Sequence, residues 1–387
     1  MIEDAFSRLD SYCRKANYKG WDIFDGLSSR LFRKSFFYKS EVFRLAWIQL
    51  FKRLPINFRY LTLVPKGYNA KGLGLFASGF IALQRTEEAK TLLEKLKCVK
   101  CDGFEGISWG YNHPWQARAF YVPVGTPNMV TTVFVANSFL EYFDKTCDVE
   151  ALDIAHGACE FILKHLIIFE DRDSLCFGYI PGEKARVHNA SMLGAALLGR
   201  VFAYKKEEEF LEKSRKAMAY AIKALRPDCS WPYGERHHHR FVDNFHTGFN
   251  LVALHDWIES IGDHRWQEQL LGAYHYFLNT FWIEDGCPKY FNNSLYPIDI
   301  HCSAQGIVTC LKLQKLDERS LPLAEKIAKW AIENMQDKKG FFYYQKKKLY
   351  TNKIPYIRWS QAWMFYALAY LISHHSKEKL KAPADRF

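Results

Sequence analysis

Residues Ala190 to Ala203 read ASMLGAALLGRVFA, and this stretch decides the fold. It carries one charge, Arg200, and apolar or small residues occupy every other angular position of a helix. A helix that is apolar all round must be buried all round. Gly194, Ala195 and Ala196 supply side chains small enough for neighbouring helices to approach closely. Trp359 to Ile372, WSQAWMFYALAYLI, has no charge, and neither does Asn128 to Leu140.

Amphipathic stretches alternate with these. In Glu207 to Leu225, Phe210, Leu211, Ala217, Met218, Ala221, Ile222 and Leu225 recur at helical spacing, while Glu, Lys and Arg fill the other face. Asp263 to Phe281 and Arg319 to Met335 read alike. Fully buried helices alternating with half-buried ones predict two concentric rings. The expected fold is all-α: an α/α toroid of six or seven helical hairpins, an (α/α)6-like barrel with aromatic loops at one mouth. Trp21 to Phe32 and Asn69 to Leu83 are expected as its earlier inner helices. The expectation is a single domain over 1–387, with less regular hairpins over 1–100 and clear repeats over 101–375. An open α-solenoid is the alternative, but its repeats are usually more uniform.

The loops repeat as well. Their tails read ISWGY, CFGY, CSWPY, GCPKY and GFFY, ending at Tyr111, Tyr179, Tyr233, Tyr290 and Tyr343. The gaps are 68, 54, 57 and 53 residues, a period near 55 that marks repeated supersecondary units. No sustained period-two pattern supports a sheet.

The 387 residues carry a net charge of +11, with 49% hydrophobic and 16% aromatic side chains, which excludes intrinsic disorder and collagen. No apolar run nears the ~18 residues of a membrane span. The N-terminal MIEDAFSRLDSYCRK lacks the basic start and apolar core of a signal peptide. Ten scattered Cys then read as reduced thiols, and a cytoplasmic protein is expected. Nucleic-acid, Walker, GxGxxG, GxSxG and HExxH patterns are absent, so no nucleic acid, cofactor or metal is expected.

Uncommon polar residues gather where each aromatic loop enters an inner helix. In a toroid these entries converge on one mouth. Seven of the 14 His fall there: His113, His188, His237, His238, His239, His246 and His301. A glycan cleft needs aromatic faces and cations, for which Trp109, Trp115, Trp231 and Tyr233, and Arg118, Arg186, Arg236 and Arg358, are candidates. Asn189, His237 and His239 join them as candidate binding residues. On a uronic acid the enzyme neutralises the carboxylate and removes the carbon-5 proton. His188, His246, His301, Tyr233 and Tyr356 are candidate bases. Completed elimination makes a lyase, and return of the proton to the opposite face makes an epimerase. Asp243 and Asp299 offer the carboxyl pair of a glycoside hydrolase, or serve as helix caps. A non-catalytic glycan-binding scaffold is the alternative of a different class.

The segments Lys19-Gly-Trp-Asp22-Ile-Phe-Asp-Gly-Leu27, Val64-Pro-Lys-Gly67, Gly72-Leu-Gly-Leu75, Ser230-Trp-Pro-Tyr233 and Phe241-Val-Asp-Asn-Phe-His-Thr-Gly248 carry a resemblance. The chain resembles helical-toroid proteins of bacterial exopolysaccharide and capsule biosynthesis. That resemblance implies a six-hairpin glycosidase-like fold, a role on an acidic glycan or its precursor, and partners among polysaccharide-biosynthesis proteins. The stretch from Tyr233 to Thr247 is also loosely similar to the helical domain of glucuronyl C5-epimerases.

Overall fold

The computed structural model describes residues 1–116 and 121–381. Its helices are α1 (Ile2–Lys15), the short α2 (Arg30–Lys34), α3 (Glu41–Arg53), α4 (Ala70–Ala82), α5 (Thr86–Cys98), α6 (Met129–Thr146), α7 (Val149–His165), α8 (His188–Lys205), α9 (Glu208–Ile222), α10 (Asn244–Ile261), α11 (Gln267–Thr280), α12 (Ile300–Lys312), α13 (Ser320–Met335) and α14 (Trp363–Lys381). A π-helical turn, Ile357–Ala362, leads into α14.

The apolar helices α4, α6, α8, α10, α12 and α14 form the inner ring. Each packs on the next, and α14 packs on α4, so the ring closes. Close packing rests on small residues: a Cβ at Gly194 would meet Met129 and Phe177 at 2.9 Å. The amphipathic α5, α7, α9, α11 and α13 lie outside, each burying one face. The outer partner of α14 is α1, so the sixth hairpin joins the two ends of the chain. Gln336 fastens this seam by donating to the Ala5 carbonyl at 2.8 Å.

The toroid thus has six hairpins, and one expected inner helix is absent. Trp21 to Phe32 forms a loop, a 3-10 turn over Asp25–Ser28 and the start of α2. This stretch, α2 and α3 form an insertion with a small core of its own around Leu27, Phe32 and Ile48. The aromatic loops contribute three small antiparallel sheets, the largest pairing Ile298–Asp299, Gln345–Lys346 and Thr351–Asn352.

The loop repeat has a structural cause. The first amide of each inner helix lacks an intrahelical partner. The Tyr carbonyl of the following loop accepts it: Met129 to Tyr179, His188 to Tyr233, Asn244 to Tyr290 and Ile300 to Tyr344. Ile357 donates to Trp21 across the seam. In the last loop the accepting tyrosine is Tyr344 rather than Tyr343, whose amide instead donates to the Met335 carbonyl at 2.8 Å. These links tie the inner-helix entries into one rim.

Candidate active site

At the centre of that rim half-buried Tyr111, Tyr179 and Tyr233 face His246 and the buried Trp359 and Arg358. The hydroxyls of Tyr111 and Tyr179 share a hydrogen bond of 2.9 Å. The Arg358 guanidinium lies 5.1 Å from the centre of the Tyr111 ring and 5.3 Å from that of Trp359. Tyr233 lies 4.5 Å from His246, centre to centre. Burial raises the hydroxyl pKa of both Tyr179 and Tyr233.

Asp243 stands at the start of α10 without capping it. Its two carboxylate oxygens lie 2.8 and 3.0 Å from His246 Nδ1. A carboxylate only accepts, so Nδ1 carries a proton, and in the neutral imidazole it is Nε2 that keeps a lone pair for another partner. Asp299, by contrast, is spent. It accepts from the His301 amide at 3.0 Å, from Trp359 Nε1 at 2.9 Å and from Gln345 at 2.8 Å. Burial pushes its carboxyl up to about 6.

Beneath the rim lies His301, 1% exposed, with neither ring nitrogen hydrogen-bonded among the described residues. It packs between Phe245, Trp359 and Trp363 at 4.5–4.7 Å. Burial, and then the nearby Lys71 and Arg358, hold it well below the usual imidazole range. Lys71 sits on α4, 2% exposed, its ammonium 3.9 Å from the Phe134 ring centre and about 5 Å from Phe249 and Trp363. No carboxylate among the described residues lies within ion-pair distance of it. Burial and Arg358 hold its amine well below the usual lysine range. Phe134, Phe249 and Trp363 plug the bore. On their far side is a cavity of about 50 Å³ lined by Glu141, Arg200, Asp256 and Lys312, where Lys312 pairs with Asp256 at 2.8 Å and Arg200 donates to Asn137 at 2.7 Å.

Arg358 is anchored by Asp22, with bonds of 2.6 and 2.8 Å to the two carboxylate oxygens. Burial opposes the charge on Asp22, but Arg358 and His113 outweigh it and hold the carboxyl at about 2. Arg59 binds Asp25 at 2.6 Å, the Asp22 carbonyl at 2.8 Å and the Tyr356 hydroxyl at 3.1 Å.

The mouth therefore gathers His246, His301, Tyr233, Asp243, Asp299 and Arg358 from the residues the sequence singled out. Others lie elsewhere. Trp109 and Trp231 are core pins rather than stacking faces, their Nε1 atoms donating to Leu96 and Ala221 carbonyls at the ends of outer helices. His188 turns outward to a groove with Tyr220 and Glu235. Tyr356 is fully buried against Arg59. Arg186 and Arg236 pair with Glu235 and Glu183. His237 is exposed, while His239 packs edge-on to Tyr233. Asn189 is buried inside α8 and caps nothing. Trp115 reaches the rim beside Tyr179, and Arg118 lies outside the described residues. Among the described residues no three His, Cys, Asp or Glu are grouped to hold a metal ion. Sequence reasoning passed over Lys71, Tyr111, Tyr179 and Asp22 as site residues. A lone cation on an otherwise apolar helix was the signal for Lys71.

No protein-family model matches the chain, and no curated protein matches it in sequence. Among solved structures it is similar to the cellobiose 2-epimerase of Bacillus thermoamylovorans (TM-score 0.61, 13% identity, covering 81% of this chain and 90% of that one). It is also similar to a family 76 α-mannanase of Bacteroides thetaiotaomicron (0.61, 10%, 80% and 86%) and to an unsaturated glucuronyl hydrolase specific for heparin (0.57, 12%, 80% and 86%). At these identities the likeness establishes the fold alone, an α/α toroid.

Proposed function

We propose that the chain is a carbohydrate-active enzyme that moves a proton on carbon 5 of an acidic sugar, in a glycan or its precursor. One observation carries this reading: the His246–Asp243 pair stands at the rim beside Tyr233, and the buried cations Lys71 and Arg358 lie close to His301 beneath it. Asp243 fixes the imidazole tautomer so that Nε2 accepts the carbon-bound proton. The electron pair left behind spreads into the sugar carboxylate, and the two cations lie where that charge grows. His301, buried beneath the rim with neither ring nitrogen hydrogen-bonded among the described residues, is the second proton carrier of this reading. Returning the proton from the opposite face inverts the centre. Expelling the carbon-4 substituent instead gives an unsaturated sugar.

The toroid neighbours support sugar chemistry, since their names describe an epimerase, a mannanase and a glucuronyl hydrolase. Hydrolysis by Asp243 and Asp299 has less support, because hydrogen bonds already occupy both carboxyl groups. The resemblance to exopolysaccharide and capsule proteins supports a place in surface-glycan synthesis. The test is incubation with uronic-acid oligosaccharides in deuterated water. Carbon-5 deuterium uptake is expected, with or without a product absorbing near 230 nm, a wavelength on the order of that for a conjugated enol ether. New reducing ends without deuterium uptake would establish hydrolysis instead, and binding with neither would leave a scaffold.

A further inference from the structure

The insertion between α1 and α4 carries a surface that the mouth does not use. Residues 30–66 hold nine Lys and Arg against one acidic residue, Glu41, a net of +8 out of the chain's +11. Arg59 is buried with Asp25, but Arg33, Lys34, Lys39 and Arg53 are exposed. Large apolar side chains stand among them: Phe36 is 82% exposed, Leu61 72% and Val42 71%. On α3, Val42, Ala46 and Leu50 form an i, i+4, i+8 stripe facing solvent, opposite the buried Ile48 and Phe51. The pieces adjoin. Phe37 and Phe43 pack at 4.7 Å, and the Ser29 hydroxyl donates to the Thr62 carbonyl at 2.7 Å, setting α2 beside the Tyr60–Leu63 turn. Clustered exposed apolar groups of this kind mark an interaction surface.

We propose that this face docks onto an anionic lipid bilayer. Cations interleaved with protruding aromatic and aliphatic side chains match a surface of negative headgroups over acyl chains. A second copy of the chain is disfavoured, because two such basic faces repel. Nucleic acid would engage the cations but leave Leu31, Val42 and Leu61 in water. The face lies on the segment that supplies Asp22, Asp25 and Arg59 to the mouth, so docking brings the mouth to the membrane without any spanning helix. Among the described residues no helix is long and apolar enough to cross a bilayer.

The experiment is co-sedimentation of the full chain with vesicles of phosphatidylcholine alone, or with about 30% phosphatidylglycerol. Binding is expected to the anionic vesicles and to weaken in high salt. Reversing the charges in R33E/K34E should lower it by about 25-fold or more, at about fivefold per basic residue lost. Phe36→Ser with Leu61→Ser should lower it comparably, since both side chains insert. All four positions are exposed, so unchanged thermal unfolding verifies that the variants fold. Absence of binding to either vesicle, or binding that both variants retain, would overturn the proposal. So would concentration-dependent dimerisation, or capture of an RNA oligonucleotide, without vesicle binding.

Discussion

Lys71 shows what a single residue can reveal. An ammonium buried among three aromatic rings with no carboxylate at hand is costly to the fold, because desolvation is not offset by a partner. K71M should raise stability by about 1 kcal/mol in thermal unfolding, while weakening binding of an acidic oligosaccharide about tenfold or more by calorimetry. His246→Ala should slow carbon-5 exchange by about 10²- to 10⁴-fold with stability unchanged, as expected for loss of a general base. The charge at Lys71 was legible in AKGLGLFASGFIA by the same reasoning that marked Arg200. The direction of His188 was not, because a fraction of a turn at a helix start decides whether a side chain meets the cavity or the outer helix.

Among the elements, the repeat near 55 residues was legible because each unit solves one problem, the unpaired amides at an inner-helix start. What the period concealed is that the loop tryptophans serve the fold. Replacing Trp231 by Phe should cost about 1–2 kcal/mol through the lost bond to Ala221 and leave sugar exchange intact. Thermal unfolding and the exchange assay check both halves. Trp21 to Phe32 reads as an inner helix because it is rich in apolar residues, but it forms a loop, a 3-10 turn and the start of α2. Here they build a small separate core with α3. The Asp22–Arg358 pair joins that insertion to the entry of α14 across 336 residues, a pairing no local spacing encodes. Asp22→Ala should destabilise the chain by about 3–5 kcal/mol in denaturant unfolding, since it strands a buried guanidinium.

For the molecule as a whole, alternation of fully and half-buried helices was enough to read the ring. Its closure by α1 on α14 follows from amphipathic Ile2–Lys15 needing an apolar partner. Burial also shapes the response to acid. His113 is held down at about 4 by desolvation, so between pH 6.5 and 4 the unfolded chain binds the proton and the native chain does not. Its contribution is present above pH 6.5 and falls away as the pH drops toward 4, by about 3 kcal/mol in all. His113→Gln should flatten that part of the stability profile, measured by urea unfolding at stepped pH.

The account rests on helix entries and loop tyrosines, far apart in the chain, sharing one sugar-binding mouth. Hydrogen–deuterium exchange of the protein with and without a uronic-acid oligosaccharide measures this directly. The account predicts protection together in peptides around Lys71, Tyr111, Tyr179, Tyr233–Phe249, His301 and Arg358, and none around Glu141, Asp256 and Lys312 at the other end of the bore. Protection confined to one of those entries, or appearing only at the far end, would contradict it.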